Sequence, residues 1–120
     1  MMKEDLIRKI STKNILFREG KVTPKKKGLF VTLWKRDAEG NTCPFDSSDP
    51  YDYVIINVHN VKRSGAFIFP KDVLVKNRIF SHQDITGKRA FRLYPPWENE
   101  LNQQATKSQE WQIRYFVENK

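Results

Sequence analysis

Residues 53–58, Tyr-Val-Ile-Ile-Asn-Val, are apolar at nearly every position. In an extended chain successive side chains point to opposite faces, so this run is hydrophobic on both. Such a strand has to be covered on two sides, which places it inside a sheet that is itself inside the molecule. Residues 60–65, Asn-Val-Lys-Arg-Ser-Gly, follow as a turn, and Ala-Phe-Ile-Phe at 66–69 as a second strand. The two runs predict a β-hairpin with 53–58 as its central strand.

Residues 29–36, Leu-Phe-Val-Thr-Leu-Trp-Lys-Arg, predict a further strand. Leu29, Val31 and Leu33 point one way, and Phe30, Thr32 and Trp34 the other. Both faces are mostly apolar, so cover on both sides is expected here too. The Thr-Pro-Lys-Lys-Lys-Gly before it reads as a turn: Pro24 presets its own φ and Gly28 can close with a positive φ. Residues 14–22 read as extended chain interrupted by Gly20, and 37–52 as an acidic loop. Pro70 suits the first turn of a helix over 71–77. Residues 89–94 form a strand stopped by Pro95 and Pro96, and 3–10 a short helix with Leu6, Ile7 and Ile10 on one side. Residues 98–120 read as helical, with Leu101, Ala105, Trp111, Tyr115 and Phe116 in one stripe. The expected fold is α+β. One domain over 1–120 holds a mixed, mostly antiparallel sheet of about four or five strands, with short helices and a C-terminal helix packed on it.

With 120 residues, 38% hydrophobic and 12% aromatic, the chain can bury a core. No apolar run approaches the roughly 20 residues of a membrane span. Cys43 is the sole cysteine, which excludes an intrachain disulfide and a cysteine-rich zinc site. A cytoplasmic, most simply bacterial, protein without a membrane partner is the expectation. The charge of +8 is unevenly spread. Residues 18–36 carry seven bases against one acid, and 62–92 eight against two; residues 37–61 carry five acids and no base. Charge in blocks makes lobes of potential, and two positive blocks favour a polyanionic partner.

The blocks Gly-Lys-Val-Thr-Pro-Lys-Lys-Lys-Gly-Leu-Phe-Val-Thr-Leu-Trp-Lys-Arg-Asp (20–37), Gly-Ala-Phe-Ile-Phe-Pro-Lys-Asp-Val-Leu (65–74), Gly-Lys-Arg-Ala-Phe-Arg-Leu-Tyr-Pro-Pro-Trp (87–97) and Gln-Glu-Trp-Gln-Ile-Arg-Tyr-Phe (109–116) occur in this order. Their combination resembles the MepB-like proteins, over about residues 17–116. That family takes its name from a bacterial multidrug-resistance operon, where its member sits beside an efflux pump and a repressor. The resemblance implies one domain and a link to the restriction-endonuclease-like fold, and it carries no defined chemistry.

Candidate chemistry starts with cations and aromatics. Lys25, Lys26, Lys27, Lys35 and Arg36 surround the strand that carries Trp34; Lys88, Arg89 and Arg92 lie near Trp97. Cations hold phosphates and flat rings stack unpaired bases, so this set reads as a nucleic-acid site without a base-specific code. Trp34 by itself reads as core; it stacks only if exposed. The two basic ends of the 29–34 strand lie roughly 20–25 Å apart, too far for one phosphate pocket. Either a groove joins them or one end binds, helped by residues 87–92.

A metal-dependent nuclease of the PD-(D/E)xK type is the alternative. It would use Glu19 and Lys21 with an acid such as Glu4, Asp5 or Asp52, and Mg²⁺ as cofactor. Glu118-Asn119-Lys120 fits the same three-residue pattern, and no Pro-Asp precedes Glu19. A protein-interaction adaptor, whose positive lobes meet an acidic protein, is the third reading. The acidic loop reads as turn and capping chemistry, His59 and His82 as surface or hydrogen-bonded groups, and Cys43 as inert. The non-catalytic nucleic-acid-binding module is the reading taken forward.

Overall fold

The computed structural model describes residues 11–120. The helix expected over 3–10 lies outside them. In chain order the elements are β1 (Ile15–Glu19), β2 (Lys21–Val22), β3 (Leu29–Thr32), β4 (Trp34–Arg36), β5 (Thr42–Pro44), β6 (Tyr53–His59), β7 (Ser64–Pro70), α1 (Lys71–Lys76), β8 (Ala90–Leu93), α2 (Gln103–Gln112), a 3₁₀ turn (Ile113–Tyr115) and β9 (Phe116–Glu118).

The expected hairpin is present: β6 and β7 pair antiparallel from Tyr53 opposite Pro70 to His59 opposite Ser64. Parallel β1 flanks β6, and antiparallel β9 flanks β7, giving the order β1-β6-β7-β9. A second sheet, β2-β3-β8, is antiparallel throughout, and β4-β5 is a separate hairpin. The strands are thus divided among three small sheets, still mixed and mostly antiparallel, within an α+β fold.

Alternation along each strand decides what is interior. Leu29, Val31 and Leu33 of the second sheet's central run face Phe91 and Leu93 of β8, and all five are buried. From the first sheet, Val54, Ile56, Val58, Phe67 and Phe69 join the same cluster. Phe69 is its hub: its ring lies 6.4 Å from Phe91, 5.3 Å from Trp111 and 6.0 Å from Tyr115. One side chain therefore ties both sheets to the C-terminal segment.

Three expectations change. The 29–36 strand is covered on one face only: Phe30 and Trp34 each keep 37% of their surface, and Thr32 is exposed. The 98–120 helix ends at Gln112, and Phe116–Glu118 pairs with Gly65–Phe67 instead. Its aromatic and β-branched residues suit a pleated surface, and the open edge of β7 offers them a ladder. The acidic segment is not all loop, since it contains β5 and buries Phe45.

Candidate functional site

The lysine turn sits between β2 and β3 and is held by three devices. Gly28 has φ +78°, and a Cβ there would lie 2.5 Å from the Leu93 carbonyl oxygen and 2.8 Å from the Tyr94 ring. Only glycine meets both demands. Arg92 of β8 then reaches across. Its Nε donates to the Lys27 carbonyl at 3.0 Å and its Nη2 to Thr23 Oγ1 at 2.6 Å. Longer contacts reach the carbonyls of Gly28 and Lys26. Finally, Lys27 Nζ donates to the Asn99 carbonyl at 2.6 Å and stands 3.8 Å from Glu100. The backbone of the turn is thus fixed, while the side chains of Lys25 and Lys26 remain exposed without a hydrogen bond or ion pair among the described residues.

β8 is an edge strand, and its outer edge is closed by a side chain. Gln112, 1% exposed, accepts the Tyr94 N–H with Oε1 at 2.8 Å and donates Nε2 to the Arg92 carbonyl at 2.9 Å. One amide thus replaces a neighbouring strand, and it holds α2 beside β8. Between them lies an open cleft of about 760 Å³. Lys26 and Lys27 line it from the turn, and Lys88, Arg92 and Tyr94 from β8 and its flanks. Asn77 and Ile79 line it from beyond α1, and Gln104, Ser108 and Trp111 from α2.

The antiparallel register explains the convergence. Leu29 pairs with Leu93, so the lysine turn that precedes β3 meets the end of β8. Of the two basic ends of the 29–36 run, the structure brings the first to residues 88–92. The second end goes elsewhere. Lys35 Nζ binds Asp49 Oδ1 at 2.6 Å, a contact that raises its pKa and offsets its charge. Arg36 stands 5.3 Å over the Trp34 ring and donates to the Gly40 carbonyl. Arg89 reaches only the Thr42 carbonyl, at 3.5 Å. Trp97 is half-buried, edge-on to Phe116 and covered by Arg63, so it packs rather than stands open. Because Arg36, Arg89 and Arg92 bond neutral oxygens, they keep their positive charge uncompensated, whereas Lys35 does not.

Glu19 ends β1 and Lys21 begins β2, both exposed. The intervening Gly20 donates to the Asn57 carbonyl at 2.9 Å as the chain leaves one sheet for the other. Glu4 and Asp5 lie outside the described residues. Asp52 Oδ2 accepts the Asn14 N–H at 3.0 Å. Among the described residues no three His, Cys, Asp or Glu side chains gather where they could hold a metal ion. The acidic segment spends its carboxylates on its own backbone. Asp37 accepts from Glu39 and Asn41, and Asp49 from Asp46. Asp46 accepts from the hydroxyl and N–H of Ser48, which lowers its pKa. His82 Nδ1 shares a 2.7 Å hydrogen bond with Ser47 Oγ. Among the described residues no helix is long and apolar enough to cross a membrane.

A family model described as MepB-like matches residues 4–118. The chain belongs to the MepB-like family. A solved crystal structure of MepB is similar to this MepB-like chain at 31% identity. The match covers 99% of this chain and 98% of that one, with a TM-score of 0.86. Among curated proteins nothing matches. The match to MepB spans every element of the cleft in this MepB-like chain, from the lysine turn through β8 to α2.

Sequence reasoning missed the part Gln112 plays in the cleft and the exposure of Phe30. Gln112 falls in the same helical stripe as Leu101, Ala105 and Phe116, and that phase is the signal for its burial. Phe30 is expected on a covered face, and the structure leaves it exposed. The signal against that was Thr32, a polar residue between two aromatics on the same face.

Proposed function

We propose that this MepB-like protein is a non-catalytic nucleic-acid-binding module that holds phosphates along the cleft beside β8. What supports the reading is the convergence of Lys26, Lys27, Lys88 and Arg92, from segments about 60 residues apart, on one open cavity with Tyr94 and Trp111 in its walls. Lys25, Lys26 and Lys88 are the phosphate ligands. Arg92 contributes its charge and sets the turn that presents the lysines. Lys35 and Trp97, spent on Asp49 and the core, take no part.

A site of this kind binds by releasing counterions. With about three to five phosphates neutralised, log affinity should fall against log salt with a slope of about −2 to −4. The triple variant K25E/K26E/K88E reverses exposed side chains that hold nothing in the fold. It should melt as the parent does and lose oligonucleotide binding, as read by fluorescence anisotropy at low salt. Equal binding by the variant, or a salt slope near zero, overturns the proposal.

A further inference from the structure

Among the described residues β1 is the longest strand with an open edge. Its phase is set by the bonds at its two ends. The Asn14 carbonyl accepts the Tyr53 N–H, and the Gly20 N–H donates to the Asn57 carbonyl. In a parallel ladder alternate residues turn to the same neighbour, so Asn14, Leu16, Arg18 and Gly20 face β6. Ile15, Phe17 and Glu19 present their N–H and C=O groups to the open side. Such a row is a template for another strand. One group in it is occupied, since the Phe17 carbonyl accepts Arg18 Nη1 at 2.9 Å in an exposed contact.

The side chains alternate in step. Leu16 packs on the core, whereas Ile15, Phe17 and Glu19 share the opposite face. Phe17 keeps 59% of its surface, the most exposed aromatic ring among the described residues. Lys13 and Glu19 are exposed, and neither side chain has an ion pair among the described residues. We infer that β1 is a self-association edge, on which a second copy of this chain adds its own β1 antiparallel about a two-fold axis. This surface shares no residue with the cleft beside β8.

A second copy fits because the row Lys13, Ile15, Phe17, Glu19 complements its own reverse. With Leu16 on the axis, Ile15 stands opposite Phe17 of the second copy and Lys13 opposite its Glu19. Two-fold symmetry repeats each pair. Two apolar pairs are thus flanked by two pairs of opposite charge, and pairs directly opposite across strands are the ones that interact. Each Ile15–Phe17 pair exchanges both of its backbone hydrogen bonds, once Arg18 releases the Phe17 carbonyl. The register shifted to place Phe17 on the axis is worse. It sets Ile15 against Glu19 and Lys13 against Lys21, losing the mixed apolar pairs and opposing two cations. The chosen register also brings Phe17 of the second copy beside an open hollow of about 530 Å³, lined by Ile15, Pro50 and Tyr51 among others. One strand edge makes a small interface, so the dissociation constant should be roughly 10⁻⁵ to 10⁻⁴ M.

The test is sedimentation equilibrium on the full chain and on K13E, E19K and K13E/E19K, loaded up to about 1 mM so that a weak dimer is populated. All four side-chain changes fall on exposed positions, and matching melting curves establish that the variants fold. The parent should reach a monomer–dimer equilibrium. Each single variant sets like charges against each other twice and should weaken association about tenfold or more. The double variant exchanges the signs and should recover most of the parent's association. K13E is the decisive single variant. It lowers the net charge of +8, so general repulsion between copies falls, and weakening there has to come from the Lys13–Glu19 pair. A parent that stays monomeric up to about 1 mM overturns the inference. So does a dimer that K13E leaves unchanged or strengthens, or one that K13E/E19K fails to restore.

Discussion

Gln112 shows how much one side chain can carry. The Tyr94 N–H and the Arg92 carbonyl face the open edge of β8, and its amide satisfies both from a buried position. Leucine at 112 keeps the volume and removes both bonds, leaving two backbone groups unpaired. Each costs about 1–3 kcal/mol, so Q112L should lose about 2–6 kcal/mol, measured by urea unfolding. Loss below about 0.5 kcal/mol would mean that water replaces the amide, contrary to its burial. The same residue marks a limit of sequence reading. Its helical phase, seven residues after Ala105, places it in the apolar stripe, but the partners of its amide stay hidden until β8 is placed beside it. Arg92 is a different case. Its charge is legible, but its bonds to Thr23 and Lys27 are not, because separations of 69 and 65 residues hide the contacts.

Among the elements, the lysine turn is the most constrained. Its Pro and Gly were readable as punctuation, and the positive φ at Gly28 follows from them. The packing of that glycine against β8 was not readable. The two demands separate by mutation. Asparagine tolerates a positive φ far better than alanine does, so if conformation were the whole cost, G28N would be milder than G28A. The 2.5 Å approach to the Leu93 carbonyl makes any Cβ intolerable. Both variants should therefore lose similar stability, about 2 kcal/mol or more, in thermal melts. Both should also weaken oligonucleotide binding by displacing Lys26. The 29–36 run teaches a related lesson. Periodicity sorts its two faces correctly, and the β6–β7 hairpin is legible as a pair of strands, though Ser64 and Gly65, read as turn, belong to β7. Which apolar face is covered depends on what else the chain supplies, and here Phe30 and Trp34 stay part-exposed. The C-terminal helix is legible as far as Gln112, whereas Phe116–Glu118 becomes a strand because β7 has a free edge, which a local pattern does not reveal.

At the scale of the whole molecule, the last strand closes the first sheet, and its closure is electrostatic as well as hydrophobic. Phe116 packs on Phe67 and Trp97, and Asn119 N–H donates to the Ser64 carbonyl. Arg63, at the β6–β7 turn, grips Glu118 through two parallel bonds of 2.6 Å and lies 5.3 Å over Trp97. The hydrogen bonds from Arg63 hold the Glu118 carboxyl below its usual range. A carboxyl whose pKa is lower folded than unfolded binds fewer protons in the native state. Its contribution is therefore complete above the ordinary glutamate range, near pH 4, and fades as pH falls through the lowered folded value. Replacing Glu118 with glutamine removes the charge without changing the shape. At neutral pH E118Q should melt below the parent, and amide exchange at Gly65 and Val117 should quicken. As pH drops below about 4 the two melting curves should converge, since the parent then carries a protonated glutamate in the same place. Added salt should narrow the neutral-pH gap, because the pair is exposed enough to be screened. A gap that stays constant from neutral pH into acid would show that Glu118 acts through packing alone and that β9 is held by Phe116 and its backbone ladder.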